Sequence, residues 1–158
     1  MVRWLSLITA LLLLPMLARA HPEKEHANAL CSGFDKIEFR NSDGTRTDCL
    51  NAQHAVEVDY TQKWAEGLGQ ALFYAHLHGR EPGIILVCHP DRQLKTCDTH
   101  VERAMATLSA YALAAQVWSF RHDHTSLAEC KAIRVDGNVT AQSAPDASMS
   151  DQAERSRN

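Results

Sequence analysis

The chain has 158 residues, with 16 Lys+Arg against 19 Asp+Glu and a net charge of −3. That length suits one ordinary domain and is too short for two comfortable ones. The acidic balance excludes the overall basic face common in nucleic-acid binders, though not a locally basic cleft.

The first twenty residues read as a leader. Arg3 supplies a positive n-region, Leu5 to Leu17 an apolar stretch, and Ala18-Arg19-Ala20 a small-x-small cleavage site, the layout of a secretory signal peptide. The apolar run is shorter than the roughly 20 residues a membrane-spanning helix needs, and no later stretch is long enough to span a bilayer. The expected mature chain begins near His21, is periplasmic or extracellular, and keeps no stable membrane association. Cleavage removes Arg3 and Arg19 and no acid, so 16 basic residues become 14 against 19 acids, a net charge of −5. The five cysteines (Cys31, Cys49, Cys88, Cys97 and Cys130) all remain. In an exported protein they are expected to be partly oxidised, and an odd count leaves at least one thiol free or intermolecular. Cys88 with Cys97, flanking a short polar loop, is the preferred pair, and Cys31 with Cys130 the second. None has zinc-finger spacing.

In chain order, His21 to Cys31 reads as a short helix ending near Ser32-Gly33. Phe34 to Arg40 alternates as a strand does. Asn41-Ser42-Asp43-Gly44 is a turn, Thr45 to Leu50 a second strand, and His54 to Tyr60 a third, rich in β-branched residues. Gln62 to His78 is a helix with Trp64, Leu68, Ala71, Leu72 and Ala75 on one face. Gly79 stops it and Pro82 prevents its resumption. Gly83 to Cys88 is the near-continuous apolar run of a strand buried on both faces. A second helix is predicted from about Thr99 to Ala115, and a last strand over Val117 to Arg121 closes the ordered part. Residues 21–134 thus form a single α/β domain, and 135–158 a polar tail predicted to be disordered. Asn138-Val139-Thr140 matches a glycosylation sequon. This order predicts a mixed central sheet flanked by helices.

The chemistry concentrates between Arg46 and Tyr74. A hairpin with Leu50 facing Ala55 would set Asp48 opposite Glu57 and Arg46 opposite Asp59. Opposed residues have Cβ atoms about 4.5–5.5 Å apart, and two carboxylates held there repel each other unless a cation intervenes. Mg²⁺ and similar hard cations take such oxygen pairs, completed by waters and substrate phosphate. Asp59 has a simpler explanation, since Arg46 across the strand would neutralise it. On the following helix Lys63, Gln70 and Tyr74 fall within about 40° of one another, opposite the Trp64/Leu68/Leu72 face. Lys63 is placed to lean over the carboxylate pair, where an ammonium stabilises developing charge. Its bland alternative is an ion pair with Asp59 or with Glu66.

Asp48, then Glu57-Val58-Asp59, then Gln70-Ala71-Leu72-Phe73-Tyr74, in an αβββαβ order, resemble the PD-(D/E)XK nuclease superfamily. The Q-x-x-x-Y helix motif is similar to that of its exonuclease V and RecB-type branch. The likeness covers about His21 to Cys88. It implies a restriction-endonuclease-like fold and a metal-dependent phosphodiesterase acting on nucleic acid. Asp48 and Glu57 would bind Mg²⁺ or Mn²⁺, and Glu23 or Glu25 would supply the acid found on the first helix of many members. The chain departs from the pattern at Asp59, where the family's E-x-K motif has its lysine; some relatives take that lysine from the following helix, as Lys63 would supply it. Asp48, Glu57, Lys63, Gln70 and Tyr74 are therefore the candidate catalytic residues. The main rival is an exported binding protein that keeps the fold and has lost the chemistry. A third reading is a histidine-based transition-metal carrier using His122 and His124. His76 and His78 lie two apart on a helix and face different ways. His89, just past the buried strand, is the histidine expected nearest the site.

Overall fold

The computed structural model describes residues 27–137. The leader, Glu23 and Glu25, the sequon and almost all of the predicted tail lie outside them. A helical turn at 27–30 leads into six strands and two helices. The elements are β1 (Lys36–Arg40), β2 (Arg46–Leu50), β3 (His54–Tyr60), α1 (Trp64–His78), β4 (Glu81–Val87), α2 (Leu94–Ala110), β5 (Ala115–Phe120) and β6 (Lys131–Val135). A 3₁₀ turn over Thr61–Lys63 joins β3 to α1. Gly79 ends α1 in the left-handed conformation (φ 59°), and its N–H and that of Arg80 cap the last carbonyls, a stop that glycine allows without steric cost.

All six strands form one mixed sheet, ordered in space as in sequence. β1, β2 and β3 are an antiparallel meander, β3, β4 and β5 are parallel, and β6 returns antiparallel to β5. Along β4 successive side chains alternate between two cores, as the period of two requires. Ile84 and Leu86 pack with Leu68 and Ala71 of α1 and with Val101, Ala104 and Leu108 of α2. Ile85 and Val87 pack on the other face with Val56, Val58 and Phe120, under Ala27, Leu30 and Cys31. Each such fully buried side chain stabilises the fold by about 1.5–3 kcal/mol. Both crossover helices therefore cover one face of the sheet, and the helical turn at 27–30 covers the other.

The predicted α/β class and mixed sheet are present, and β3 has the predicted bounds. Several particulars differ. The ordered part does not close at the fifth strand, because Lys131–Val135 adds a sixth, with Ile133 and Val135 packed on the helix-side core. The second helix starts at Leu94 and ends at Ala110, about five residues earlier at each end than expected. Its first turn holds Cys97, fixed to Cys88, and Ala112 at φ 53° takes the chain out of helix.

The Cys88–Cys97 pair is formed, but Cys31 joins Cys49 and not Cys130. Cys49 is wholly buried on β2 with its Cα 5.4 Å from that of Cys31, so the bond pins the turn at 27–30 to the sheet. Cys130 is free, and burial pushes its thiol up to about 11. Little of it is thiolate at neutral pH, so it exchanges poorly with either disulfide. No helix among the described residues is long and apolar enough to cross a membrane.

Candidate functional site

The alternation that sends Val56 and Val58 to one face of β3 sends Ala55, Glu57 and Asp59 to the other, beneath α1. Among the described residues the buried polar or charged side chains are Asn41, Thr47, Glu57, Asp59 and Thr61. All five lie on β2, β3 or the turns flanking those strands. α1 and the turn before it cross this strip with the stripe Lys63, Gly67, Gln70, Tyr74 and His78, three or four residues apart and so on one side. The result is a polar seam between a helix and a sheet whose other contacts are apolar.

At one end of the seam the Lys63 ammonium lies 3.6 Å from Asp59 Oδ1, which also accepts the Tyr60 N–H at 2.7 Å. Gly67 makes room for this acid: a Cβ there would stand 3.0 Å from Asp59 Cβ and 3.3 Å from its Oδ2. In the middle, Tyr74 is 8 % exposed and packs with Leu50 and Ala55. Burial raises its phenol above the ordinary tyrosine value, and the charges of Glu57 and then Asp48 raise it further, against a backbone hydrogen bond with Arg46. One buried phenol thus feels the charges of both predicted metal-binding acids. At the far end His78 Nε2 meets Thr47 Oγ1 at 3.1 Å, and the Asn41 amide donates to Thr47 Oγ1 at 3.1 Å and to Thr45 Oγ1 at 3.0 Å. Gln70 is half-buried on the same stripe.

The strand register departs from the expected hairpin in an informative way. Cys49 pairs with Val56 and Leu50 with Ala55, as predicted, and the ladder stops there. The Val58 N–H donates to Asp48 Oδ2 at 3.0 Å, so a carboxylate takes the place that a β2 carbonyl would have filled. The Arg46 guanidinium pairs with Glu38 Oε2 at 2.7 Å on β1. The bland partner foreseen for Lys63, Asp59, is present. The helix is not simply apolar on one side and site-facing on the other, because Gly67, Ala71 and Tyr74 are buried along with Leu68. Trp64 packs against the helix-side core, as expected.

Sequence reading missed a second ionic group. Arg134 of β6 makes a two-pronged pair with Glu81 at the start of β4, and His54 Nε2 lies 3.4 Å from Glu81 Oε2. Its only sequence signal was one arginine in a stretch read as lacking secondary structure. Of the other histidines, His89 stands edge-on to Tyr60 with Nδ1 3.4 Å from Asp91, and His124 Nδ1 accepts the Arg121 N–H at 3.2 Å. Among the described residues no three His, Cys, Asp or Glu side chains form a group able to hold a metal ion by themselves.

Burial lowers His54, His78 and His100 below the ordinary histidine value of 6.5. A histidine depressed in the folded state contributes stability that is complete above its unfolded value and is lost as pH falls below it. Glu81, held low by Arg134, acts in the same direction further into acid. The melting temperature is therefore expected to fall on acidification below about pH 6.5, and His78→Gln to flatten that fall. A melting temperature constant from about pH 7.5 to 5.5 would contradict this.

No protein-family model, curated protein or solved structure matches this chain.

Proposed function

We propose that the protein is an exported, divalent-metal-dependent phosphodiesterase acting on nucleic acid, with a restriction-endonuclease-like core. The observation that carries the reading is the buried seam, in which Glu57 and Asp59 are 8 % and 3 % exposed and Tyr74 feels both Glu57 and Asp48. Glu57 and Asp59 lie on the one face of β3 that α1 covers, so two carboxylates are gathered on the side of the strand that faces Tyr74 and Lys63. Two carboxylates are a sufficient protein contribution for Mg²⁺ or Mn²⁺, which keep waters and substrate phosphates as their other ligands. Asp48 and Glu57 would hold the ion, which when bound lowers the pKa of a water and polarises a phosphoryl oxygen.

The chain's own groups supply the rest. Tyr74, raised above its ordinary value, stays protonated and can donate a hydrogen bond to a phosphate oxygen. Lys63 brings a cation to the end of the seam, where it offsets charge developing on a phosphate. Gln70, between them, has an amide that can orient a phosphate or a water. Lys63→Gln is expected to lower turnover by about 10²-fold with little change in KM; an unchanged turnover would leave this lysine as the partner of Asp59 alone. The reading itself is tested by incubating the protein with single- and double-stranded DNA. Cleavage should appear with Mg²⁺ or Mn²⁺ and vanish with a chelator, and a protein inert under every metal would reject the reading.

One observation favours a non-catalytic binding protein of the same fold. Asp59 stands where the resembling nucleases have lysine, and the Lys63 ammonium lies beside that acid. Metal binding without cleavage would select this reading.

A further inference from the structure

A groove of about 580 Å³ opens at the C-terminal end of α1, lined by Phe39, Arg40, Asn41, Ser42, Leu77 and His78. Its floor is built. Asn41 is 6 % exposed and Thr47 fully buried, and together they hold His78 through the hydrogen bonds described above. Its surroundings are cationic on a chain that is acidic overall. Arg40 lines it, Lys36 lies 4.3 Å over the Phe39 ring, and His78, lowered first by burial, is lowered further by the charges of Lys36 and Arg80 against that of Asp43. The neighbouring acids are engaged locally: Glu38 with Arg46, and Asp43 with the Thr45 N–H and hydroxyl at 3.0 and 2.6 Å. Leu77, which lines the groove, is a large apolar side chain 38 % exposed, and Phe73, one helical turn before it on α1, is 45 % exposed.

We propose that this groove is a strand-holding subsite for single-stranded nucleic acid, with phosphates on Arg40, Lys36 and Arg80 and an unpaired base against Phe73 and Leu77. Cations interleaved with an exposed aromatic suit an unpaired strand, because bases stacked inside a duplex offer no face to a phenyl ring. The groove also adjoins the seam: Thr47, which holds His78, precedes Asp48, and Tyr74 is one turn before His78. A strand seated here would continue toward Asp48 and Glu57. The proposal rests on the phosphodiesterase reading in taking nucleic acid as its ligand.

The test is fluorescence anisotropy of a labelled oligodeoxythymidylate with the full chain, in chelator so that no metal contributes. The strand should bind more tightly than a duplex of equal length. Arg40→Glu should weaken binding at least about tenfold by removing a phosphate contact and reversing a charge. Phe73→Ala should weaken it about tenfold by removing the stacking surface. Lys131→Glu, the same charge change on β6 at the opposite edge of the sheet, should leave affinity within about twofold. No binding, equal losses for Arg40→Glu and Lys131→Glu, or an unchanged affinity in Phe73→Ala would overturn the proposal. Strand binding lost in Arg40→Glu, beside an absence of metal-dependent cleavage, would uphold the groove and reject the hydrolase. Cleavage that survives Arg40→Glu and Phe73→Ala with unchanged KM would do the reverse.

Discussion

Asp48→Asn and Glu57→Gln should each reduce metal-dependent phosphodiester hydrolysis on the order of 10³-fold or more, the upper range for losing one electrostatic contributor to a transition state. Both changes preserve volume and hydrogen-bonding capacity while removing a charge. Asp48 accepts the Val58 N–H where the β2–β3 ladder ends, and the asparagine carbonyl can accept it too. Glu57 sits under α1 within the field of Tyr74, and an amide of the same shape fits there. The variants should therefore fold normally by circular dichroism while losing activity. Variants as active as the wild type would show these acids to be ion-paired structure. A loss of activity that tracks unfolding would show the same.

The second large effect concerns the fold. Replacing both Cys31 and Cys49 by alanine should cost about 3 kcal/mol, since the bond closes a loop spanning 18 residues of separation and loop-closure entropy grows with length. Removing Cys88–Cys97, at a separation of 9, should cost about 0.6 kcal/mol less on the same account. The larger figure is a substantial part of the 5–15 kcal/mol that holds a domain folded. Cys31 also anchors the turn that covers Val56, Val58 and Ile85, so losing the bond frees the cover of one sheet face. Urea unfolding of each variant, with and without reductant, measures both costs. A Cys31→Ala/Cys49→Ala protein as stable as the oxidised parent would contradict the assignment. Two disulfides are compatible with an oxidising compartment and hence with export.

Much of this architecture was legible because its signals are local. The third strand carries Val56 and Val58 between turn residues, and α1 ends at a glycine that the backbone needs in a left-handed conformation. The sixth strand was not legible, because Lys131-Ala132-Ile133-Arg134-Val135 is an edge strand whose two charges dilute an apolar signal of two residues. The start of α2 was misplaced because Gln93 provides no side-chain cap, and without a Ser, Thr, Asp or Asn the sequence gives no mark there.

At the site, strand and helix periods alone put Glu57 on the face of β3 beneath α1 and Tyr74 on the side of α1 that packs on Leu50 and Ala55. What the periods hid was the early end of the hairpin. A carboxylate takes the place that a backbone acceptor would have filled in the ladder, and no alternation rule anticipates it. Disulfide partners were hidden for a related reason, since Cys31 meets Cys49 only through tertiary packing. The same seam explains why the site resists a simple reading: Asp59 occupies a position admitted by Gly67, and Lys63 serves it from the next turn. Lys63 is therefore the residue on which the choice between a hydrolase and a binding protein turns.

The central claim, that Asp48 and Glu57 together hold a divalent cation, is tested most directly by calorimetric titration of the protein with Mn²⁺. The wild type should take up the ion, and both Asp48→Asn and Glu57→Gln should abolish or strongly weaken the uptake while remaining folded. A wild type that binds no Mn²⁺, or variants that bind it as well as the parent, would contradict the claim.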